Sequence, residues 1–122
     1  MTESRRRVKH VIDGETADKT SEAVNILGAN RVTLVCKRAD HATGSTVFSA
    51  DVGVGTDVTD YKKWISNAAH TNVQQDTKVA SLTLSADGVD FLTMSPEDTF
   101  DVIKVTADVT TDGTNDAWLI LD

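Results

Sequence analysis

Asp101-Val102-Ile103-Lys104-Val105-Thr106-Ala107-Asp108-Val109 is the stretch that decides the fold. Ile103, Val105, Ala107 and Val109 are apolar, and the residues between them are charged or hydroxylated. A two-residue repeat suits a strand with one face buried and the other in water, whereas a helix would scatter the same apolar residues around its circumference. Arg31-Val32-Thr33-Leu34-Val35-Cys36-Lys37 and Thr46-Val47-Phe48-Ser49-Ala50-Asp51-Val52 keep the same rhythm. So do Lys78 to Ser85, with Ala80, Leu82 and Leu84 on one side, then Val89 to Met94 and Ala117 to Leu121. Val8 to Ile12 and Ser21 to Leu27 follow it more loosely and read as a first edge strand and a second, modest one.

Between the runs stand turn-forming residues: Asp13-Gly14, Gly28-Ala29-Asn30, Asp87-Gly88 and Thr111-Asp112-Gly113-Thr114-Asn115-Asp116. Ala39 to Gly44 reads as a hairpin-type connection joining two paired strands, and residues 111–116 as the tip of a closing hairpin. Ser95-Pro96-Glu97-Asp98 reads as a tight turn. The result is an all-β chain of about eight strands, an antiparallel β-sandwich that is jelly-roll-like in its count. An immunoglobulin-type sandwich has a similar number of strands, so counting does not separate the two. Residues 56–75 are ambiguous. Tyr61, Trp64, Ile65, Ala68 and Ala69 follow helical offsets with Asp60 as a cap, but an extended crossing suits a sandwich better.

The chain has 122 residues, of which 39% are hydrophobic and only 5% aromatic. That length makes one domain, and the low apolar content fits a thin two-sheet core or burial completed in a larger assembly. Arg5, Arg6, Arg7 and Lys9 against Glu3 alone give the first ten residues a net charge of +3, which leaves −10 for the rest of a chain whose net charge is −7. The expected organisation is therefore a flexible basic arm over 1–10 and a sandwich over 11–122. So acidic a body argues against general phosphate-backbone binding, which needs a positive surface, and no specific nucleic-acid partner is expected. With no secretory signal and no apolar stretch of membrane-spanning length, the expected protein is soluble and made in a cytoplasm, without a membrane partner.

No reactive constellation is legible. A single cysteine, Cys36, rules out an intramolecular disulfide framework and reads as a packed mid-strand thiol. His10, His41 and His70 lack metal-ligand spacing. The loop from Asp112 to Asp116 has calcium-like oxygens, yet its composition is equally that of a turn. No nucleophile elbow, phosphate loop or singled-out carboxylate pair is present. The expectation is a non-enzyme with no cofactor and no metal. Trp118 alternates with Leu119 and suggests packing in the core or at a subunit interface. Trp64 beside Tyr61 reads as an exposed anchoring patch.

Three segments carry a resemblance. Asp60-Tyr61-Lys62-Lys63-Trp64-Ile65-Ser66-Asn67 precedes a Thr/Asn/Gln-rich loop, Val79-Ala80-Ser81-Leu82-Thr83-Leu84-Ser85-Ala86-Asp87-Gly88 follows, and Val105 to Leu121 closes the chain. Together, over about residues 31–122, they resemble the small all-β accessory proteins of tailed bacteriophage virions. The resemblance is one of style and brings no functional residue with it. It implies a jelly roll that assembles as a homotrimer, has no enzymatic activity and resides in the virion. Its implied role is capsid decoration, with the major capsid protein or another virion protein as partner. The residues expected to meet that partner or a neighbouring subunit are Arg5, Arg6, Arg7, Lys9, Tyr61 and Trp64. The alternative is a ligand-binding sandwich, for carbohydrate or a receptor, in a fibre or baseplate.

Overall fold

Alternation in the sequence becomes alternation in burial. Along the last strand Ala117, Leu119 and Leu121 are buried, while Trp118 and Ile120 between them are half-exposed. The structure, a computed structural model, describes residues 6–53, 62–63, 81–94 and 101–122. Its strands are β1 (Arg7–Glu15), β2 (Lys19–Thr20), β3 (Val24–Asn25), β4 (Val32–Ala39), β5 (Gly44–Gly53), β6 (Lys62–Lys63), β7 (Ser81–Leu84), β8 (Gly88–Met94), β9 (Val102–Thr111) and β10 (Thr114–Leu121). All pairings are antiparallel.

One sheet has the order β1-β10-β4-β8. In the other, β9 and β5 form the centre; β2 and β3 share the outer edge of β9, and β6 and β7 share the outer edge of β5. Among the described residues, ten segments thus fill eight strand positions. The two inner faces meet in one core that includes Ile12, Leu34, Phe48, Ile103, Val105 and Leu119, all essentially inaccessible. Emptying one large position, as in Phe48→Ala, would cost about 3–5 kcal/mol.

The pairing separates the two sandwich types. β1 pairs with β10, β2 and β3 with β9, β4 with β8, and β5 with β7. First meets last, second meets second-last, and so on inward: one long double strand folded over on itself, which is the jelly-roll wrapping. An immunoglobulin-type sandwich keeps its first two strands in one sheet; here β1 and β2 lie in opposite sheets.

Two local expectations change as a consequence. Ala39 to Gly44 and the turn at Asp112-Gly113 do not close hairpins, because β4 and β5, and likewise β9 and β10, belong to different sheets. Each connection is an arch across the sandwich. The modest strand over Ser21–Leu27 is interrupted. Ser21 N donates to Val105 O at 2.8 Å and Ser21 Oγ accepts from Val105 N at 2.9 Å, so the side chain takes over a ladder bond. Between Thr20 and Val24 the chain then spends one residue more than β9 does, which is a bulge. Of residues 56–75 the structure describes only Lys62 and Lys63, which are strand and pair with Val52 and Asp51. The turn at residues 95–98 lies outside the described residues.

Candidate partner-binding surfaces

Register places β1 across the edge of the four-stranded sheet. Arg7 lies opposite Leu121, Val8 opposite Ile120, Lys9 opposite Leu119 and His10 opposite Trp118. Residues opposite one another share a face. Leu119 and Leu121 are buried in the core, so Arg7 and Lys9 occupy inward-facing positions at the sheet edge, and Val8 and His10 face outward. Residues 6–10 are therefore continuous with the sandwich. Arg6 Nε donates to Asp122 Oδ1 at 2.9 Å, and Arg31 reaches Asp122 Oδ2 at 3.1 Å. These two guanidiniums hold the Asp122 carboxyl below the usual carboxylate range. Arg5, Tyr61 and Trp64 lie outside the described residues.

On the outer face of that sheet, cross-strand rows run from β1 to β8. One row is His10, Trp118, Val35 and Phe91; its neighbours bring Val8 and Ile120 on one side and Val89 on the other. Val8, Val89 and Phe91 are 57%, 62% and 60% exposed. Trp118 faces outward here, stacked on the His10 ring at 4.7 Å between centroids and 9° between planes. Sequence reasoning missed Val89 and Phe91. Their signal was present: Val89, Phe91 and Leu92 put apolar residues on both faces of one strand, which a sheet with a fully solvated face does not need.

At the open side of the sandwich, between β1 and the β2–β3 edge, lies a groove of about 540 Å³. Arg7 and Lys9 line it from one sheet and Lys19 from the other, with Glu22 as the one acid among the described residues that line it. Lys19 lies opposite the buried Ala107, so it too holds an inward-facing position.

At the other end of β1, Asp116 Oδ1 takes a hydrogen bond from Gly14 N at 2.9 Å and lies 2.9 Å from His10 Nε2. Asp13 approaches His10 Nδ1 at 3.9 Å. One ligand atom from each of His10, Asp13 and Asp116 lies within 4.8 Å of the others, the group among the described residues best disposed to hold a metal ion. His41 is elsewhere, accepting from Arg38 Nε at 3.1 Å. The calcium-like loop does not converge. Asp112 binds the Ala42 and Thr43 amides and Arg38, Asn115 is buried against Thr46, and Asp116 turns to His10.

Arg38 is 1% exposed and organises this end of the sandwich. Its Nη1 donates to Thr46 Oγ1 at 2.6 Å, and Nη2 donates to Thr43 O at 2.9 Å and Asp112 Oδ1 at 3.2 Å. Thr46 Oγ1 passes a bond to Asn115 Oδ1 at 2.6 Å, and Asn115 Nδ2 donates to Glu15 O at 3.0 Å. β4, β5, β10 and β1 are thereby tied in series. The amides of Ala42 and Thr43, then Arg38, hold the Asp112 carboxyl below the ordinary aspartate range. Cys36 is fully buried, and burial followed by the Asp90 carboxylate pushes its thiol pKa far up, so it packs as a neutral side chain.

Among the described residues these features define a jelly-roll sandwich with two notable surfaces: an outer wall carrying exposed apolar side chains and a basic groove. No family model matches the sequence, and no curated protein matches it. Among solved structures, the SPBc2 prophage-derived protein YomS is similar over 98% of this chain and 96% of its own, with a TM-score of 0.59 and 11% identity. At that identity the likeness shows the fold. PirA (TM-score 0.45, 9% identity, 99% and 95% covered) and a Bacillus endospore appendage structure (0.35, 13%, 98% and 91%) match more weakly.

Proposed function

We propose that this chain is a capsid decoration (cement) protein: a virion component that docks on the outer surface of a phage shell and stabilises it by bridging neighbouring capsid subunits. It acts by binding, without catalysis or cofactor, and does so as a homotrimer, whose three contacts reinforce one another through effective concentration. The observation that carries this reading is the outer face of the four-stranded sheet. Val8, Val89 and Phe91 stand more than half exposed on it, in rows that also hold Trp118, Val35 and Ile120. Three exposed large apolar side chains on one sheet face, set among Thr33, Lys37 and Thr93, suit a protein–protein contact. Sharing its fold with a prophage-derived protein is in keeping with a phage origin. Arg5, Arg7, Lys9, Tyr61 and Trp64 are assigned to the same partner contacts; the guanidinium of Arg6 is already held by Asp122.

Co-sedimentation with purified phage capsids tests the proposal. The wild-type chain should pellet with shells at a fixed stoichiometry and have a trimer mass in solution. Phe91→Ser with Val89→Ser should lower occupancy at least tenfold while leaving the melting curve nearly unchanged. A monomer that stays in the supernatant with every shell tried would end the reading.

A further inference from the structure

Arg7, Lys9 and Lys19 stand where alternation calls for apolar side chains. Their cross-strand partners Leu121, Leu119 and Ala107 are all core residues. The three cations come from the two sheets and line one groove of about 540 Å³ against a single acid among the described residues, Glu22. Among the described residues Lys9 and Lys19 make no ion pair, and Arg7 reaches only the Leu27 carbonyl, at 3.5 Å.

Charged residues pointing inward on an edge strand are a known guard against strand-to-strand aggregation. That role asks only for charge on each edge. It would be served as well by opposite signs on the two walls, which would attract and close the mouth of the sandwich. Here both walls carry the same sign, in a chain whose net charge is −7. Like charges facing across a groove repel each other and favour an anion placed between them.

The shape of the edge narrows the class of anion. β1 pairs with β10 along one side only, and from Arg7 to His10 the register is regular before shifts occur at His10/Ile12 and Ile12/Glu15. Over these four regular residues every second one turns its N–H and C=O away from β10, and among the described residues no strand takes them, which makes a short template for strand addition, roughly 13 Å long. Inward-facing cations at every second position of that template suit carboxylates at every second position of an added strand.

We infer that the groove between β1 and the β2–β3 edge receives an extended acidic segment of a partner protein, which pairs with β1 at Arg7–His10 and sets its carboxylates against Arg7, Lys9 and Lys19. This rests on the docking role proposed above and names the chemistry of the partner. The apolar wall then supplies contact area, and the groove selects which partner is held.

The test uses the full chain and a labelled peptide of four Val-Asp repeats, followed by fluorescence anisotropy. Saturable binding that weakens steeply with salt is expected. Lys9→Glu with Lys19→Glu should reduce affinity at least tenfold, and Lys9→Gln with Lys19→Gln should reduce it less. Lys37→Glu, which alters the outer face of β4, should leave it unchanged. Methylating alternate amides of the peptide should abolish binding, because the added strand loses its donors. The inference is overturned if the peptide does not saturate, if the double charge reversal binds as wild type does, or if a Val-Lys peptide binds equally. Unchanged binding of the methylated peptide would overturn the strand-pairing part. Peptide binding by a chain that ignores capsids would sink the decoration role and leave the groove standing. Capsid binding without peptide binding would do the reverse.

Discussion

Arg38 and the trio Arg7, Lys9 and Lys19 are cations at inward-facing positions of the same sandwich, and their surroundings could hardly differ more. Arg38 is sealed at one end, its donors distributed over Thr46, Thr43, Asp112 and His41. The trio lines an open groove, exposed, with no carboxylate bound among the described residues. A charge removed from water must be met by fixed dipoles or counter-charge, or it destabilises the fold. Arg38 meets that demand within the chain and serves as architecture. The trio escapes the demand by remaining in water, and is free to serve a partner.

The contrast is tested most severely at Arg38. Arg38→Ala empties a buried site and takes one hydrogen-bond donor each from Thr46 Oγ1, the Thr43 carbonyl and Asp112, and should cost about 2–5 kcal/mol in urea unfolding; a loss below about 1 kcal/mol would show that water replaces the guanidinium. Gly113→Ala comes next. Gly113 has φ +112°, and a Cβ there would lie 2.5 Å from Arg38 Nη1. Backbone strain together with a displaced guanidinium should cost about 1–3 kcal/mol, read as a lower urea midpoint.

Acid should loosen the contacts of Asp112. Asp112 has its pKa lowered in the folded state, so the stability it contributes is fully present above the ordinary aspartate value of 3.8 and is lost as pH falls below that through the folded value. Faster amide exchange at Ala42 and Thr43 below that pH, absent in Asp112→Asn, would report it. The smallest effect belongs to the trio: Lys9→Ala and Lys19→Ala should each change unfolding free energy by no more than about 0.5 kcal/mol. A larger loss would make these lysines architectural after all and erase the contrast with Arg38.

Much of the fold was legible because burial imposes a period that leaves its mark residue by residue. Val32, Leu34 and Cys36, Phe48 and Ala50, and Ile103, Val105 and Ala107 are inward as their alternation requires. The pairing was not legible. The turn residues at 39–44 and 112–113 look alike whether they close a hairpin within a sheet or an arch between sheets, since both demand only polar residues and positive-φ glycines. Arg38 shows the same limit: it continues the inward series of β4, and only its meeting with Thr43, Thr46 and Asp112 explains a cation there. Of the candidate contacts, Arg7 and Lys9 stood out by local charge density. Lys19 did not, because the groove it completes joins residues from two sheets that no nearest-neighbour pattern connects.

The order of residues along the chain was enough to establish an all-β sandwich of about eight strands with an acidic body, a basic start and a buried, inert cysteine. These are consequences of near-neighbour periodicity and composition, which any strand must obey wherever it ends up. Tertiary structure alone decided that first pairs with last, that one arginine is sealed while three other cations ring an open groove, and that Trp118 faces out beside Phe91. Each of these depends on which distant segments come to lie side by side, and the free energy that chooses among such pairings belongs to the packed whole.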